Sequence, residues 1–176
     1  MTLVRQHVAL VGLRASGKTT VGRELARLTG RTFCDADEVL GAEARMPAGE
    51  VLRREGEPAF RAREARIAAS LLCDDTVFVV SLGGGAVLDP GTRRLLQRPC
   101  TFTVLLHAPL EVLAARIRAG GVDRPALTSL PLADELAELW RVREPLYREV
   151  ADLVVETAAM DPTACAGMIR TGLRTS

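Results

Sequence analysis

The chain has 176 residues, a length typical of one domain that can bury a sizeable core without disulfides or metals. Lys and Arg number 23 against 22 Asp and Glu, and this net charge of +1 gives no chain-wide field that would attract nucleic acid or an anionic membrane. Only 3% of the residues are aromatic, which argues against stacking platforms for bases. We therefore expect ligands to be recognised by a few local groups.

The apolar run at residues 7–11 meets Gly12 and is too short for a signal sequence or a membrane span. No internal repeat or low-complexity linker follows it. The sequence therefore predicts one domain over residues 1–176, located in the cytoplasm. We expect it to act as a monomer, without nucleic acid or membrane as partner.

Short apolar runs alternate with helical patterns along the chain, and several of the runs are apolar on both faces, as in a buried parallel sheet. The predicted strands are residues 7–11, 32–35, 77–82, 102–106 and 153–157. The predicted helices are residues 18–28, 59–72, 110–118, 133–148 and 162–173. This alternation predicts a doubly wound α/β fold.

One segment, residues 119–132, shows neither the alternation of a strand nor the three-and-four spacing of a helix. It contains two glycines, two prolines and an Asp-Arg pair between two predicted helices. It is either a mobile loop over a site or a plain long connection, and its residues alone leave both interpretations open.

The first strand runs directly into the phosphate-binding pattern G-x-x-x-x-G-K-T. Its glycines let backbone N–H groups face phosphate oxygens, and the start of the next helix adds a partial positive charge. Lys18, the only lysine of the chain, would reach the β and γ phosphates, and the hydroxyl of Thr19 would bind Mg²⁺. The residues predicted to bind nucleotide here are Gly12, Arg14, Ala15, Ser16, Gly17, Lys18, Thr19 and Thr20.

Ala15 departs from the glycine that this position often carries in small-metabolite kinases. A negative φ at Ala15 would be harmless, whereas a positive φ would cost about 1 kcal/mol.

Polar or glycine-rich groups follow two other strands. Asp35 and Asp37 end the second strand, where one could hold Mg²⁺ through water and the other could accept a proton from an attacking hydroxyl. The alternative for these aspartates is a helix N-cap or a turn. Gly83, Gly84 and Gly85 follow the third strand, where ligands of open α/β sheets bind, and a tight turn is their alternative.

Two arginines carry patterns that suit an organic acid. Arg61, in GEPAFR, and Arg143, in REPLY, could each offer a guanidinium to a carboxylate with bidentate geometry. A solvated surface position is the alternative for each.

As a set, these patterns resemble those of the shikimate kinase family. The segments GLRASGKT, DAD, GEPAFR, SLGGGAV, DRPAL and REPLY occur in that order between about residues 8 and 162. The resemblance implies a five-stranded parallel sheet of order 2-3-1-4-5, substrate-binding helices at about residues 36–72 and a lid at about 119–132. It also implies ATP as phosphoryl donor, Mg²⁺ as cofactor and phosphorylation of the 3-hydroxyl of shikimate, a step of aromatic amino acid biosynthesis.

The resemblance also assigns roles to individual residues. Lys18, Asp37 and Arg124 would be catalytic, with Asp37 binding the acceptor hydroxyl and acting as the base. Thr19 and Asp35 would serve the metal. The residues implied to bind shikimate are Asp37, Arg61, Gly83, Gly84, Gly85 and Arg143.

The adenine contacts implied by the resemblance are Pro162 and one arginine before the lid. Arg116 and Arg118 each lie one residue off the usual distance, and we choose Arg118. Two further departures are Ala126 within DRPAL and residues 44–48, which replace a glycine-bearing turn.

Two alternatives remain open at this point. The first is a kinase of another sugar acid such as gluconate. The second is a metabolite-sensing domain that no longer turns over, although a sensor would not need the complete set Lys18, Thr19, Asp35, Asp37 and Arg124.

Overall fold

The computed structural model describes residues 7–74, 76, 78–120 and 130–175. Arg124 and Ala126, and with them the central part of the predicted lid, lie outside the described residues. The predictions made for them stay predictions.

One sheet of five parallel strands has the order β2-β3-β1-β4-β5, which confirms the order implied by the family resemblance. The strands are β1 (His7–Val11), β2 (Thr32–Asp35), β3 (Phe78–Ser81), β4 (Thr101–His107) and β5 (Leu153–Glu156). Asp35 at the end of β2 is in register with Ser81 at the end of β3. The carboxyl ends of the strands therefore meet at one edge, where open α/β sheets bind their ligands.

Helices cover both faces of the sheet. They are α1 (Lys18–Thr29), α2 (Ala36–Ala44), α3 (Ala48–Glu55), α4 (Glu57–Leu72), α5 (Pro90–Leu96), α6 (Leu110–Ala119), α7 (Leu132–Val150) and α8 (Pro162–Thr175). Apolar periodicity missed α2, α3 and α5, because helices of seven to nine residues are too short to establish it. Within the described ranges, we find no helix with both the length and the apolar character that crossing a membrane requires.

The core consists of two apolar clusters, one on each face of the sheet. Alternate residues of β1 supply them, since Ala9 and Val11 belong to one cluster and Val8 and Leu10 to the other. The first cluster packs beneath α2 to α7, and the second lies beneath α1 and α8. The central strand is thus completely buried, which explains why its sequence is apolar without alternation.

Two residues other than glycine have a left-handed backbone within the described ranges: Ala15 at φ 62° and Arg45 at φ 55°. The positive φ that would carry a cost at Ala15 is therefore present. Arg45 ends α2 in this conformation, at the place where the sequence lacks the glycine-bearing turn. Helices commonly end on glycine at this point because a side chain is disfavoured there.

We expect Ala15→Gly and Arg45→Gly each to stabilise the protein by about 1 kcal/mol, because each relieves a strained backbone. For a chain of this size the melting temperature should rise by about 2–4 °C per substitution. Thermal unfolding followed by circular dichroism measures the shift. Gly30→Ala, at φ 65°, is the reverse control and should lower the melting temperature; a gain from it would contradict the explanation by strain.

Candidate active site

The loop between β1 and α1 has the geometry of a phosphate cradle. Gly12 has φ 141°, and a side chain there would collide with the carbonyl oxygen of Leu106. Gly17, at φ 99°, directly precedes α1, which begins at Lys18. The ammonium of Lys18 donates 2.8 Å hydrogen bonds to the carbonyl oxygens of Gly12 and Leu13 and thereby spans the loop. This folded turn at a helix N-terminus suits an anion.

Thr19 and Asp35 face each other below this loop. The hydroxyl of Thr19 donates a 2.7 Å hydrogen bond to the Asp35 carboxylate, which is buried. A hydroxyl and a carboxylate are oxygen donors of the kind that Mg²⁺ uses together with water and substrate phosphates. This pair therefore fits the metal assigned to it.

A cavity of about 490 Å³ opens over the loop. The predicted nucleotide residues that line it are Arg14, Ala15, Gly17, Lys18, Thr19, Thr20 and Pro162. Gly12 and Ser16 shape the loop from behind, and Ser16 is buried. The structure thus brings most of the predicted set to one cavity.

Of the two arginines before the predicted lid, the structure places Arg116 at this cavity. Arg116 lines the wall and donates hydrogen bonds to Ala15 O at 3.2 Å, to Thr157 Oγ1 at 3.1 Å and to Thr157 O at 2.6 Å. Arg118 is exposed and does not line the cavity. Two residues apart on a helix point in nearly opposite directions, so only one can face the site. Arg116 is therefore the arginine that can reach a nucleotide in this cavity, while the adenine contact chosen for Arg118 stays a prediction.

A second cavity of about 650 Å³ lies beside the first, between α2, α3, α4 and α7. Its lining includes every residue assigned to the acceptor: Asp37, Arg61, Gly83, Gly84, Gly85 and Arg143. The side chain of Arg61 is about a quarter exposed and Arg143 is buried, so neither is an ordinary surface arginine.

Arg61 is held by carboxylates of its own helix. Its Nη1 donates a 2.7 Å hydrogen bond to the buried Glu64, and its Nη2 lies 3.3 Å from Glu57. Burial raises the pKa of Glu64, while the charge of Arg61 opposes that rise. Glu64 therefore fixes a guanidinium that faces the cavity. The pairing of Arg61 with Glu64 could have been inferred from the sequence, because residues three apart on a helix are neighbours.

The sequence left open whether Asp35 and Asp37 cap a helix or belong to the site, and the structure distinguishes the two aspartates. Asp35 is the N-cap of α2, and its carboxylate accepts a 3.0 Å hydrogen bond from the backbone N–H of Asp37. Asp37 does not cap the helix and lines both cavities, whereas Asp35 lines the nucleotide cavity alone. A Cβ at Gly83 would lie 3.1 Å from Oδ1 of Asp37, so the glycine lets this carboxylate approach the loop.

The triple glycine forms a turn and also borders the cavity. The N–H of Ala86 donates a 3.0 Å hydrogen bond to Gly83 O, and the hydroxyl of Tyr147 donates one of 2.5 Å to Gly84 O. Burial raises the pKa of Tyr147 to about 12, so this hydroxyl stays a hydrogen-bond donor even at alkaline pH. A side chain at Gly85 would occupy the place of the Arg61 guanidinium. Tyr147 thus positions the loop, a role missed in the sequence.

Among the described residues, three line both cavities: Arg14, Asp37 and Gly84. A phosphate cradle on one side and a pocket with two arginines on the other therefore share a wall that carries a carboxylate. A parallel sheet with this loop after β1 and this adjoining pocket defines a P-loop small-molecule kinase.

Comparison with known proteins narrows this class. The sequence profile described as shikimate kinase matches residues 14–173. Shikimate kinase 2 of Sodalis glossinidius is 40% identical over 155 residues, covering 87% of each chain, and shikimate kinase of Neisseria gonorrhoeae is 40% identical over 149 residues, covering 85% of this chain and 86% of that one.

A solved structure agrees with these relatives. Shikimate kinase from Acinetobacter baumannii in complex with shikimate superposes with a TM-score of 0.89 at 32% identity, covering 97% of this chain and 93% of that one. The chain belongs to the shikimate kinase family, and the assignment made from its motifs is confirmed.

Proposed function

We propose that this protein transfers the γ-phosphoryl group of ATP to the 3-hydroxyl of shikimate. The observation that carries the proposal is the position of Asp37 on the wall shared by the phosphate cradle and the pocket of Arg61 and Arg143. An acceptor hydroxyl bound at that wall would lie beside a carboxylate and within reach of the phosphoryl group.

The acceptor pocket suits a polyhydroxylated acid. Arg61 and Arg143 supply two guanidinium groups for one carboxylate, and backbone N–H groups of the glycine loop border the same space. Phe60 and Leu52 add apolar surface for a carbon ring. This combination supports a cyclic hydroxy acid over a nucleoside monophosphate.

The reaction follows from these positions. The acceptor hydroxyl oxygen forms a bond to the γ-phosphorus while the bond from phosphorus to the β–γ bridging oxygen breaks, and the hydroxyl proton passes to Asp37. The loop N–H groups and Lys18 stabilise charge on the phosphate oxygens, so catalysis is chiefly positioning and electrostatics. Thr19 and Asp35 would hold Mg²⁺, which neutralises phosphate charge when it is bound.

Other assignments in this proposal rest on the sequence. Arg124 is proposed to bind the transferring phosphoryl group, residues 119–132 to form the lid, and Pro162, which lines the nucleotide cavity, to contact adenine. Action as a monomer in the cytoplasm stays a prediction. Neither a gluconate kinase nor a sensor is favoured by an observation in the site.

Recognition of the carboxylate can be tested by comparing shikimate with its methyl ester. The wild type should prefer the acid strongly, because only the acid carries the charge that Arg61 and Arg143 meet. We expect Arg61→Ala to raise KM for shikimate by about 10²-fold, with a smaller change in kcat, since this contact exists before and during transfer.

Arg63→Ala is the matched control, because Arg63 lies on the same helix and its more exposed side chain pairs with Glu55. It should leave both constants near those of the wild type. An Arg61→Ala enzyme that still discriminates fully between acid and ester would refute the assignment of Arg61.

A further inference from the structure

One stripe of α7 contacts several parts of the site. Glu135, Leu139, Arg143 and Tyr147 follow at intervals of four and therefore lie along one side of the helix. Leu139 and Arg143 line the acceptor cavity, and Tyr147 holds the glycine loop. Glu135, nearest the start of α7, has a partner in the phosphate-binding loop.

That partner is Arg14. An Nη atom of Arg14 donates a hydrogen bond to the Glu135 carboxylate, across 121 residues of sequence. The Glu135 side chain is 1% exposed and that of Arg14 is 13% exposed. An ion pair buried to this degree loses much of its hydration, so it is weak evidence for stability and calls for another explanation.

One hydrogen-bond donor of Arg14 is available for an anionic ligand. Its Nε is buried and finds no hydrogen-bond acceptor among the described residues. A buried N–H without an acceptor carries a desolvation cost that a ligand oxygen would remove. Arg14 also lines both cavities, so a ligand that reaches it lies at their shared wall.

We propose that Arg14 is a catalytic residue that binds the phosphoryl group during transfer, and that Glu135 is its positioning residue. The shikimate carboxylate already has Arg61 and Arg143, whereas the phosphoryl group is the anion that passes the shared wall. Glu135 holds the guanidinium against the wall through one Nη atom and leaves Nε for a phosphoryl oxygen. The inference rests on the proposed function for the identity of the acceptor, but not for the contact with the γ-phosphate.

The first test needs no acceptor and no turnover. Calorimetry measures the affinities of a non-hydrolysable ATP analogue and of ADP for the wild type and for Arg14→Met. We expect Met at position 14 to weaken the ATP analogue by about tenfold and ADP by less than about twofold, since only the analogue carries a γ-phosphate. Arg14→Lys should recover part of the loss. Equal weakening of both nucleotides, or of neither, would overturn the proposal.

The second test asks whether Glu135 acts through Arg14. Glu135→Gln keeps the shape and removes the charge, and we expect it to lower kcat by about tenfold in the wild-type background but hardly at all when Met occupies position 14. Glu138→Gln, on the exposed side of α7, is the matched control and should change nothing. If the pair of Arg14 and Glu135 were purely structural, substituting either residue would lower the melting temperature and leave the preference for the ATP analogue over ADP unchanged. Equal losses in both backgrounds would likewise overturn the role of Glu135.

The two tests separate this proposal from the function on which it rests. If the wild type does not phosphorylate shikimate, the proposed function fails, while the nucleotide affinities still decide the role of Arg14. If the wild type turns over and Arg14→Met binds both nucleotides normally, only the role of Arg14 fails.

Discussion

Lys18→Ala is expected to reduce phosphoryl transfer by at least about 10³-fold, because it removes the ammonium that stabilises charge on the β and γ phosphates. In the free protein this ammonium bonds the carbonyl oxygens of Gly12 and Leu13, so the substitution also removes a support of the loop. Steady-state assays at saturating ATP and shikimate measure the loss. Circular dichroism should show that the fold is retained.

Arg23→Ala is the matched control, since Arg23 lies on the same helix with an exposed side chain. It removes one positive charge without touching the phosphate loop and should leave kcat unchanged. Because Lys18 is the only lysine, an amine-reactive ATP analogue should label one side chain in the chain, and ATP should protect it. Near-normal turnover by Lys18→Ala would contradict the assignment of the loop.

Asp37→Asn is expected to lower kcat by about 10²-fold or more, the usual contribution of a positioned general base. Asparagine keeps the size and hydrogen-bonding capacity of aspartate but cannot take the proton of the acceptor hydroxyl. ATP affinity should change little. Rapid-quench measurement of the first turnover isolates this chemical step from product release.

The competing explanation for Asp37, a role as helix cap, predicts a silent substitution because asparagine caps as well as aspartate does. The structure assigns that cap to Asp35. Glu43→Gln serves as control, since it removes a carboxylate from the same helix at a position paired with Arg66. Wild-type kcat in Asp37→Asn would remove the residue from the mechanism.

The centre of the sheet could be predicted from the sequence because β1 and β4 are buried on both faces and are therefore almost continuously apolar. Strands β1 and β2 have the predicted bounds, and β4 is one residue longer at each end. The phosphate loop could be predicted because its chemistry lies in eight consecutive residues. The order of the strands came from the family resemblance, since periodicity carries no information on which strands pair.

Contacts between distant residues account for what the sequence missed. The bond from Tyr147 to Gly84 and the pair of Arg14 with Glu135 join segments far apart in the chain, and no local pattern announces them. The distance along the chain to the lid could not separate Arg116 from Arg118, whereas the direction of each side chain on α6 decides which arginine faces the cavity. The direction in which a side chain points relative to the cavity is known only once the fold is known.

The central claim is best tested by assaying ADP release with shikimate, quinate, gluconate and nucleoside monophosphates as separate acceptors, and by locating the phosphate in the product by ³¹P nuclear magnetic resonance. We expect ADP release to depend on shikimate, at a kcat/KM at least about 10²-fold above that of any other acceptor, with the phosphate on the 3-hydroxyl. ADP release driven by gluconate or a nucleotide instead, or no release with any acceptor, would contradict the account.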